Sequence, residues 1–119
     1  MVNLGGATEN DRKKIVITKD SKAFFHNNVD YCVGTGRMGL ALTEEYQEEL
    51  RLVQKEIGFK HIRGHGLFCD DMAIFQTYEE DGKVRVEYNY TYLDRVMDAY
   101  KKVGLRPFLE LGFMPKKLA

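Results

Sequence analysis

The sequence predicts an α/β fold in which short strands alternate with helices and pair into a parallel sheet. Two stretches, residues 43–57 and 91–103, carry apolar side chains at the spacing of an amphipathic helix. Each stretch ends at a glycine, Gly58 or Gly104, and an apolar strand-like run follows after a short link. A further run precedes the first helix, and this alternation is typical of parallel strands joined by right-handed crossovers.

We expect three core strands, near residues 30–34, 60–65 and 106–112, with the first within Val29 to Gly34. Pro107 is tolerated because it lies near the start of its strand. After the second strand, Asp81-Gly82 separates two β-favouring runs, residues 72–78 and 83–88, and this dipeptide is a strong turn signal. The sequence therefore predicts a β-hairpin in the loop that follows the second strand.

Both helices carry candidate signals at their N-terminal ends. Thr43 is suited to cap the first helix, and Glu44 and Glu45 suit its first turn. In the second helix, Thr91 and Asp94 resemble a capping box with Asp in place of the usual Glu. We therefore expect helices over residues 43–57 and 92–103.

Residues 1–28 are polar and weakly patterned, so we interpret them as an N-terminal extension to a domain over residues 29–119. Within the extension, residues 15–18 favour an edge strand or a segment packed on the outside. Eighteen basic residues balance eighteen acidic ones, which gives no electrostatic case for a nucleic-acid or anionic-membrane partner. No apolar run reaches the ~18 residues of a membrane span. Without a secretory signal pattern at the N-terminus, a cytoplasmic location is predicted.

The stretch around the second strand carries the strongest functional signal. Arg63 and His65 are two residues apart and therefore share one face of a strand, with His65 at its C-terminal end. Gly66 then begins a loop that contains Asp70 and Asp71. Polar residues at the C-terminal ends of parallel strands are how α/β enzymes present ligand-binding groups.

A glycine-rich segment after the first strand allows a different interpretation. Residues 34–39 match the GxGxxG pattern of dinucleotide-binding loops. Two features weaken this hypothesis: the helix does not begin at the third glycine, and the next strand carries Arg63 and His65 where an acidic residue would bind a ribose. No metal or cofactor site is predicted, since Cys32 and Cys69 lack metal spacing and a His61/His65 pair lacks a third ligand.

Four motifs in fixed order resemble the N-terminal part of bacterial β-xylosidases of glycoside hydrolase family 39, with α-L-iduronidases as more distant members. The resemblance covers residues 29–119. The motifs are residues 32–37 (CVGTGR), 62–67 (IRGHGL), 88–95 (YNYTYLDR) and 106–116 (RPFLELGFMPK). The resemblance implies a (β/α)8 barrel, of which this chain would supply the first three strands and two helices, and an activity on xylosides.

The resemblance also implies that the two catalytic carboxylates lie outside this chain. Retaining glycosidases use an acid/base and a nucleophile ~5–5.5 Å apart. In the family these are glutamates at the ends of the fourth and seventh strands, the first in an Asn-Glu-Pro motif that is absent here. Asp70 and Asp71 are poor substitutes because adjacent loop residues seldom converge across a sugar ring.

Several residues map onto the sugar pocket. The resemblance places His65 in contact with the sugar, and Phe113 and Arg37 are further substrate-binding candidates. His65 is alternatively a structural histidine, and Phe113 is alternatively barrel packing. Arg63 is expected to orient groups beneath His65 and to have an acidic partner, with Glu110 the nearest candidate by strand order. The face that Glu110 occupies is left open.

The sequence ends just past the third strand, where a barrel would have open edges. One expectation is therefore a fragment of a β-xylosidase that is inactive alone. The alternative is a truncated, non-catalytic relative with at most weak sugar binding. In either case we expect the missing strands or self-association to cover the edges, which predicts a homo-oligomer.

Overall fold

The computed structural model describes residues 13–20 and 24–119, in which strands and helices alternate as predicted. Short 3-10 turns precede α1, follow β2 and end the chain. The regular elements are β1 (Cys32–Arg37), α1 (Glu44–Glu56), β2 (His61–His65), β3 (Phe75–Glu80), β4 (Lys83–Tyr88), α2 (Thr91–Lys102) and β5 (Arg106–Leu109).

The three core strands form one parallel sheet in the order β1-β2-β5. β1 pairs with β2 from Cys32 opposite His61 to Arg37 opposite His65. β5 pairs with the other edge of β2 from Arg106 opposite His61. The prediction of three parallel strands with two helices between them is confirmed.

The first strand begins and ends later than predicted. The prediction ended it at Gly34 and assigned the next residues to a loop, but β1 continues to Arg37. The pairing shifts between Gly34 and Gly36, and Gly36 has a φ of +79°. A glycine in this left-handed conformation supports a bulge, which lets the strand regain its pairing. Gly34 and Gly36 of the GxGxxG pattern therefore lie within a strand, and Gly39 lies in the 3-10 turn that precedes α1, not at the N-terminus of α1.

The third strand is shorter than predicted, because β5 ends at Leu109. Its last pairing is with Gly64 of β2. Beyond it, the N–H of Gly112 donates to the carbonyl of Glu110 at 2.9 Å, a tight turn that diverts the chain. The alternation of side chains along a strand therefore does not extend to Phe113, so Glu110 and Phe113 need not lie on opposite faces.

The helix caps differ in part from prediction. Thr43 precedes α1 as predicted, but its hydroxyl donates to the carbonyl of Leu40 at 2.8 Å and makes no cap bond to the helix. The predicted capping box in α2 is wrong, because the helix includes Thr91 and its capping position is Tyr90. The Asn89 side chain accepts from the Thr91 N–H at 2.9 Å and satisfies that donor from outside the helix.

Both helices contribute to a core on one face of the sheet. Ile62 of β2 points into this core and is 1% exposed. The opposite face, which we call the front face, carries exposed Arg63 and Phe108, and no described helix or strand packs over it. The other buried residues of this core are Met38, Ala41, Leu50, Leu67, Met72, Ile74, Val96, Tyr100 and Leu105.

Gln54 of α1 joins the two helix-to-strand junctions. Its Nε2 donates to the carbonyls of Phe59 at 2.9 Å and Val103 at 3.1 Å, and its Oε1 accepts from the Phe59 N–H at 2.8 Å. These contacts fix the segments that lead into β2 and β5 at a common level. The C-terminal ends of the strands consequently lie together at the opposite end of the sheet.

The predicted hairpin is confirmed, with β3 and β4 antiparallel. Asp81 and Gly82 have φ values of +52° and +70°, as a two-residue hairpin turn of type I′ requires. Residues 15–18 form no strand, and residues 1–12 and 21–23 of the predicted extension lie outside the described residues. None of the described helices has the length and apolar character to cross a bilayer.

Candidate functional site

β2 brings Arg63 and His65 to the front face of the sheet. Ile62 and Gly64, the alternating neighbours, are buried against the helices, whereas Arg63 is exposed and His65 partly buried. Because side chains alternate along a strand, Arg63 and His65 point to the same side, with His65 at the C-terminal end. The prediction for their relative placement is confirmed.

Arg63 has the acidic partner that the sequence predicted. Its Nη2 lies 2.8 Å from Glu110 Oε1, so Glu110 reaches the front face. The Arg63 side chain is nevertheless 59% exposed, because no described helix or strand packs over the front face.

His65 and Phe113 lie side by side at the end of the sheet. Their ring centroids are 6.1 Å apart with an interplanar angle of 61°, an edge-to-face arrangement. Phe113 is 63% exposed, so much of its ring faces solvent. The pair therefore presents an apolar ring surface beside an imidazole that can donate or accept a hydrogen bond.

Arg37, opposite His65 in the pairing of β1 with β2, extends the site on the other side. Its Nη2 is 3.0 Å from Asp71 Oδ2 in the loop after β2. A Cβ atom at Gly39 would lie 3.1 Å from the same oxygen, so the glycine leaves room for the carboxylate. The sequence did not predict this pair, although opposite charges at and after the C-terminal ends of adjacent parallel strands were a signal for it.

A cavity of about 430 Å³ lies beside these residues, a size that suits a small molecule. Two hydrogen bonds from backbone N–H groups connect the loops around it: the Phe68 N–H donates to the carbonyl of Gly112 at 3.1 Å, and the Lys116 N–H donates to the Asp70 side-chain Oδ1 at 3.2 Å. The lining consists of Arg37, Cys69, Asp70, Asp71, Phe113, Met114 and Lys116.

A larger groove, of about 680 Å³, lies between the hairpin and the start of α2. Gln76 and Tyr92 are among its lining residues, and none of the predicted site residues lines it. We assign the candidate site to the C-terminal end of the sheet, because this end brings together two arginines, a histidine, an aromatic ring and three carboxylates. Within residues 13–20 and 24–119, no three His, Cys, Asp or Glu side chains are placed to share a metal ion.

A match to the family model for glycosyl hydrolases family 39 extends over residues 13–119. The chain belongs to this family. The matched region begins sixteen residues before the domain start predicted at residue 29.

Two curated relatives of this family 39 chain are β-xylosidases. The enzyme of Geobacillus stearothermophilus is 50% identical over 107 residues, which are 90% of this chain and 21% of the relative. The enzyme of Caldicellulosiruptor saccharolyticus is 36% identical over 89 residues, which are 74% of this chain and 17% of the relative. The chain thus spans about a fifth of the length of these relatives.

Solved structures of the same family match the described fold. A family 39 β-xylosidase from Caulobacter crescentus superposes with a TM-score of 0.66 and 34% identity, covering 74% of this chain and 19% of that one. The family 39 enzyme from Xanthomonas axonopodis pv. citri gives a TM-score of 0.61 and 37% identity, covering 73% and 16% respectively. The three strands and two helices are therefore a partial α/β unit of the family 39 fold.

Proposed function

We propose that this chain supplies the first three strands and two helices of the (β/α)8 barrel of a retaining β-xylosidase-type glycoside hydrolase. The chief support is the C-terminal end of the sheet, where His65, Phe113 and the Arg63–Glu110 ion pair lie together. In barrels of this class the C-terminal ends of the strands carry the substrate site. The β-xylosidase relatives name the substrate class, xylosides.

We assign each of these site residues a role in binding the substrate or in supporting a residue that binds it. The imidazole of His65 binds a hydroxyl of the sugar, and Phe113 provides an apolar wall for the pyranose ring. Arg37 completes the substrate contacts from β1, where Asp71 orients its guanidinium. Arg63 and Glu110 support His65 from the layer below, because their ion pair fixes both side chains on the front face.

Hydrolysis with retention needs a nucleophile and an acid/base on opposite sides of the glycosidic carbon. Asp71 contacts Arg37, Asp70 accepts from the Lys116 N–H, and Glu110 contacts Arg63, so each carboxylate has a structural partner. We therefore propose that both catalytic carboxylates come from outside these 119 residues, and that the 119-residue chain alone does not hydrolyse xylosides.

The experiment is a chimaera in which residues 13–119 replace the aligned stretch of the Geobacillus stearothermophilus relative. If this chain completes the barrel, the chimaera hydrolyses an aryl β-xyloside and releases xylose with retained configuration. Hydrolysis is measured by release of the chromophore and configuration by NMR. The pure 119-residue chain, assayed in parallel, is expected to show no enzymatic turnover.

Two outcomes contradict the proposal. A folded chimaera with a single sedimentation boundary but no xyloside hydrolysis favours the alternative of a non-catalytic relative. Turnover by the 119-residue chain itself shows that the catalytic groups are within it. The cytoplasmic location stays a prediction, and fractionation of the source cells checks it.

A further inference from the structure

The outer edge of the β3–β4 hairpin has unused backbone hydrogen-bonding groups. The Asn89 N–H donates to the Ile74 carbonyl at 2.8 Å, so this pair bonds inward between the strands. Hydrogen-bonded and non-hydrogen-bonded pairs alternate in an antiparallel ladder. The backbone groups of Val84, Val86 and Tyr88 on β4 therefore point away from β3.

A contact on β3 supports this assignment. Thr77 pairs with Val86, and the Thr77 carbonyl accepts from Lys117 Nζ at 3.3 Å, outside the hairpin. On the β4 side, no residue of segments 13–20 and 24–119 bonds to the outward groups. β4 is thus a six-residue strand with an open edge, which favours pairing with another strand.

The side chains of β4 are divided between two faces. Val84, Val86 and Tyr88 share one face and are 74%, 52% and 61% exposed. Lys83, Arg85 and Glu87 occupy the other face and are also exposed. The edge is therefore apolar on one face and of mixed charge on the other.

The geometry restricts how a second copy can pair with this edge. Two β4 strands related by a twofold axis must bring outward groups against outward groups. One residue of β4 therefore lies opposite its own copy, and the axis passes midway between these two copies. An axis at Arg85 places two arginines opposite each other, and one at Glu87 places two glutamates opposite each other. An axis at Val86 instead places Arg85 opposite Glu87 twice and Val84 opposite Tyr88 twice.

We propose that β4 is a dimerisation edge, where two copies of this chain pair antiparallel about a twofold axis at Val86. The occupant is a second copy, since in this register the charges and the apolar side chains of β4 complement those of an identical strand. Opposite-charge and apolar cross-strand pairs stabilise a sheet, and like charges directly opposite destabilise it. The inference does not depend on the sugar site.

The test is a charge exchange on the 119-residue chain, followed by sedimentation equilibrium. Arg85→Glu brings glutamates opposite Glu87, and Glu87→Arg brings arginines opposite Arg85, so each variant alone is expected to dimerise roughly tenfold more weakly. An equimolar mixture of the two variants is expected to recover the dimer, because opposite charges face each other again. The double variant is expected to recover it as well.

A matched control separates the interface from the hairpin itself. Arg85 Nε lies 3.3 Å from Glu80 Oε2 within the same chain, so Arg85→Glu also removes that ion pair. Glu80→Gln removes the same ion pair and leaves the charges at the β4 edge, and it is expected to leave the dissociation constant unchanged. Association that is unaffected by both Arg85→Glu and Glu87→Arg, or a monomer at about 100 μM, overturns the proposal.

A cross-link provides a second measurement. With Cys32 and Cys69 changed to serine, Val86→Cys places two thiols on the proposed axis, at a Cα separation of about 5.5 Å that permits a disulfide. Thr77→Cys, on the same face of β3, is the control. A covalent dimer from Val86→Cys alone supports the register, and its absence, or equal cross-linking of both variants, contradicts it.

Discussion

The ion pair between Arg63 and Glu110 joins the central strand of the sheet to the segment that follows the third strand. The two atoms Arg63 Nη2 and Glu110 Oε1 are 2.8 Å apart, and both side chains lie on the uncovered front face. In a closed barrel this face would be the interior. The same ion pair therefore has different energetic consequences in this chain and in a complete barrel.

We expect Glu110→Gln to lower the free energy of unfolding of this chain by less than about 1 kcal/mol, because solvent screens exposed ion pairs. In the chimaera the same change leaves a buried guanidinium unpaired, and a loss of about 3–5 kcal/mol is expected. Urea denaturation measures both. Glu44→Gln, which removes the surface partner of Arg51, should have the same small effect in both proteins. Equal losses for Glu110→Gln would argue against a closed barrel.

His65→Ala is expected to lower kcat/KM of the chimaera for an aryl β-xyloside by about tenfold to a hundredfold, because one hydrogen bond to the sugar is lost. The matched control is His61→Ala on the same strand face. His61 Nδ1 lies 3.1 Å from the carbonyl of Tyr31 at the opposite end of β2, so this variant should retain kcat/KM. Steady-state kinetics on the three proteins decides. Unchanged kcat/KM in His65→Ala would remove this histidine from the site.

Gly64→Ala is expected to destabilise the chain by about 1–3 kcal/mol through overpacking. A Cβ atom at Gly64 would lie 2.8 Å from Met38 Cγ and 2.9 Å from Thr35 Cγ2. The control is Gly34→Ala on the neighbouring strand, where no atom of the described part of the chain lies within 4 Å of the added Cβ. Chemical denaturation should show the loss for Gly64→Ala only; similar midpoints for the two variants would contradict the described packing.

Tyr100 of α2 lies in the core and is only 1% exposed. Burial, and then the neighbouring Tyr46, raise the pKa of Tyr100 to about 12 from an ordinary value of 10.0. The nearby Thr35 hydroxyl partly opposes this rise of the pKa, although neither the Tyr100 nor the Thr35 hydroxyl has a partner with hydrogen-bond geometry among the described residues.

Since the folded state holds Tyr100 neutral, its contribution to stability is full below pH 10 and is lost as the pH rises from about 10 to 12. The pKa difference corresponds to roughly 3 kcal/mol over this range. Tyr100→Phe should remove most of that alkaline loss and change stability little at pH 7. Urea denaturation at pH 8 and pH 11 checks this. An equal alkaline loss in both proteins would assign it to other groups.

Much of the architecture follows from local sequence patterns. The apolar spacing of the two helices and the glycines that end them predicted both ends of α1 and of α2 to within one residue. Asp81-Gly82 predicted the hairpin turn, because its positive φ values are costly for most other residues. The two-residue spacing of Arg63 and His65 predicted their shared face, since this spacing holds along any strand.

Other features depend on contacts between segments that are distant in sequence. The sequence left the face of Glu110 undecided, and the turn after Leu109 brings its carboxylate to Arg63. Arg37 and Asp71 meet only because β1 and β2 are adjacent and Gly39 leaves space for the carboxylate. Periodicity reports which face a residue occupies within its own element, whereas an ion pair between loops depends on how the elements are placed.

The sequence by itself determined the order of elements, the helical faces and the membership of Arg63 and His65 in one strand face, because these properties depend on residues close in the chain. Only the tertiary structure decided where β1 and β5 end, because β1 pairs with β2 as far as His65, whereas the turn after Leu109 takes the chain away from β2 one residue earlier. The tertiary structure also decided which acidic residue pairs with which arginine at the C-terminal end of the sheet, because these ion pairs join residues far apart in sequence and no local pattern encodes them.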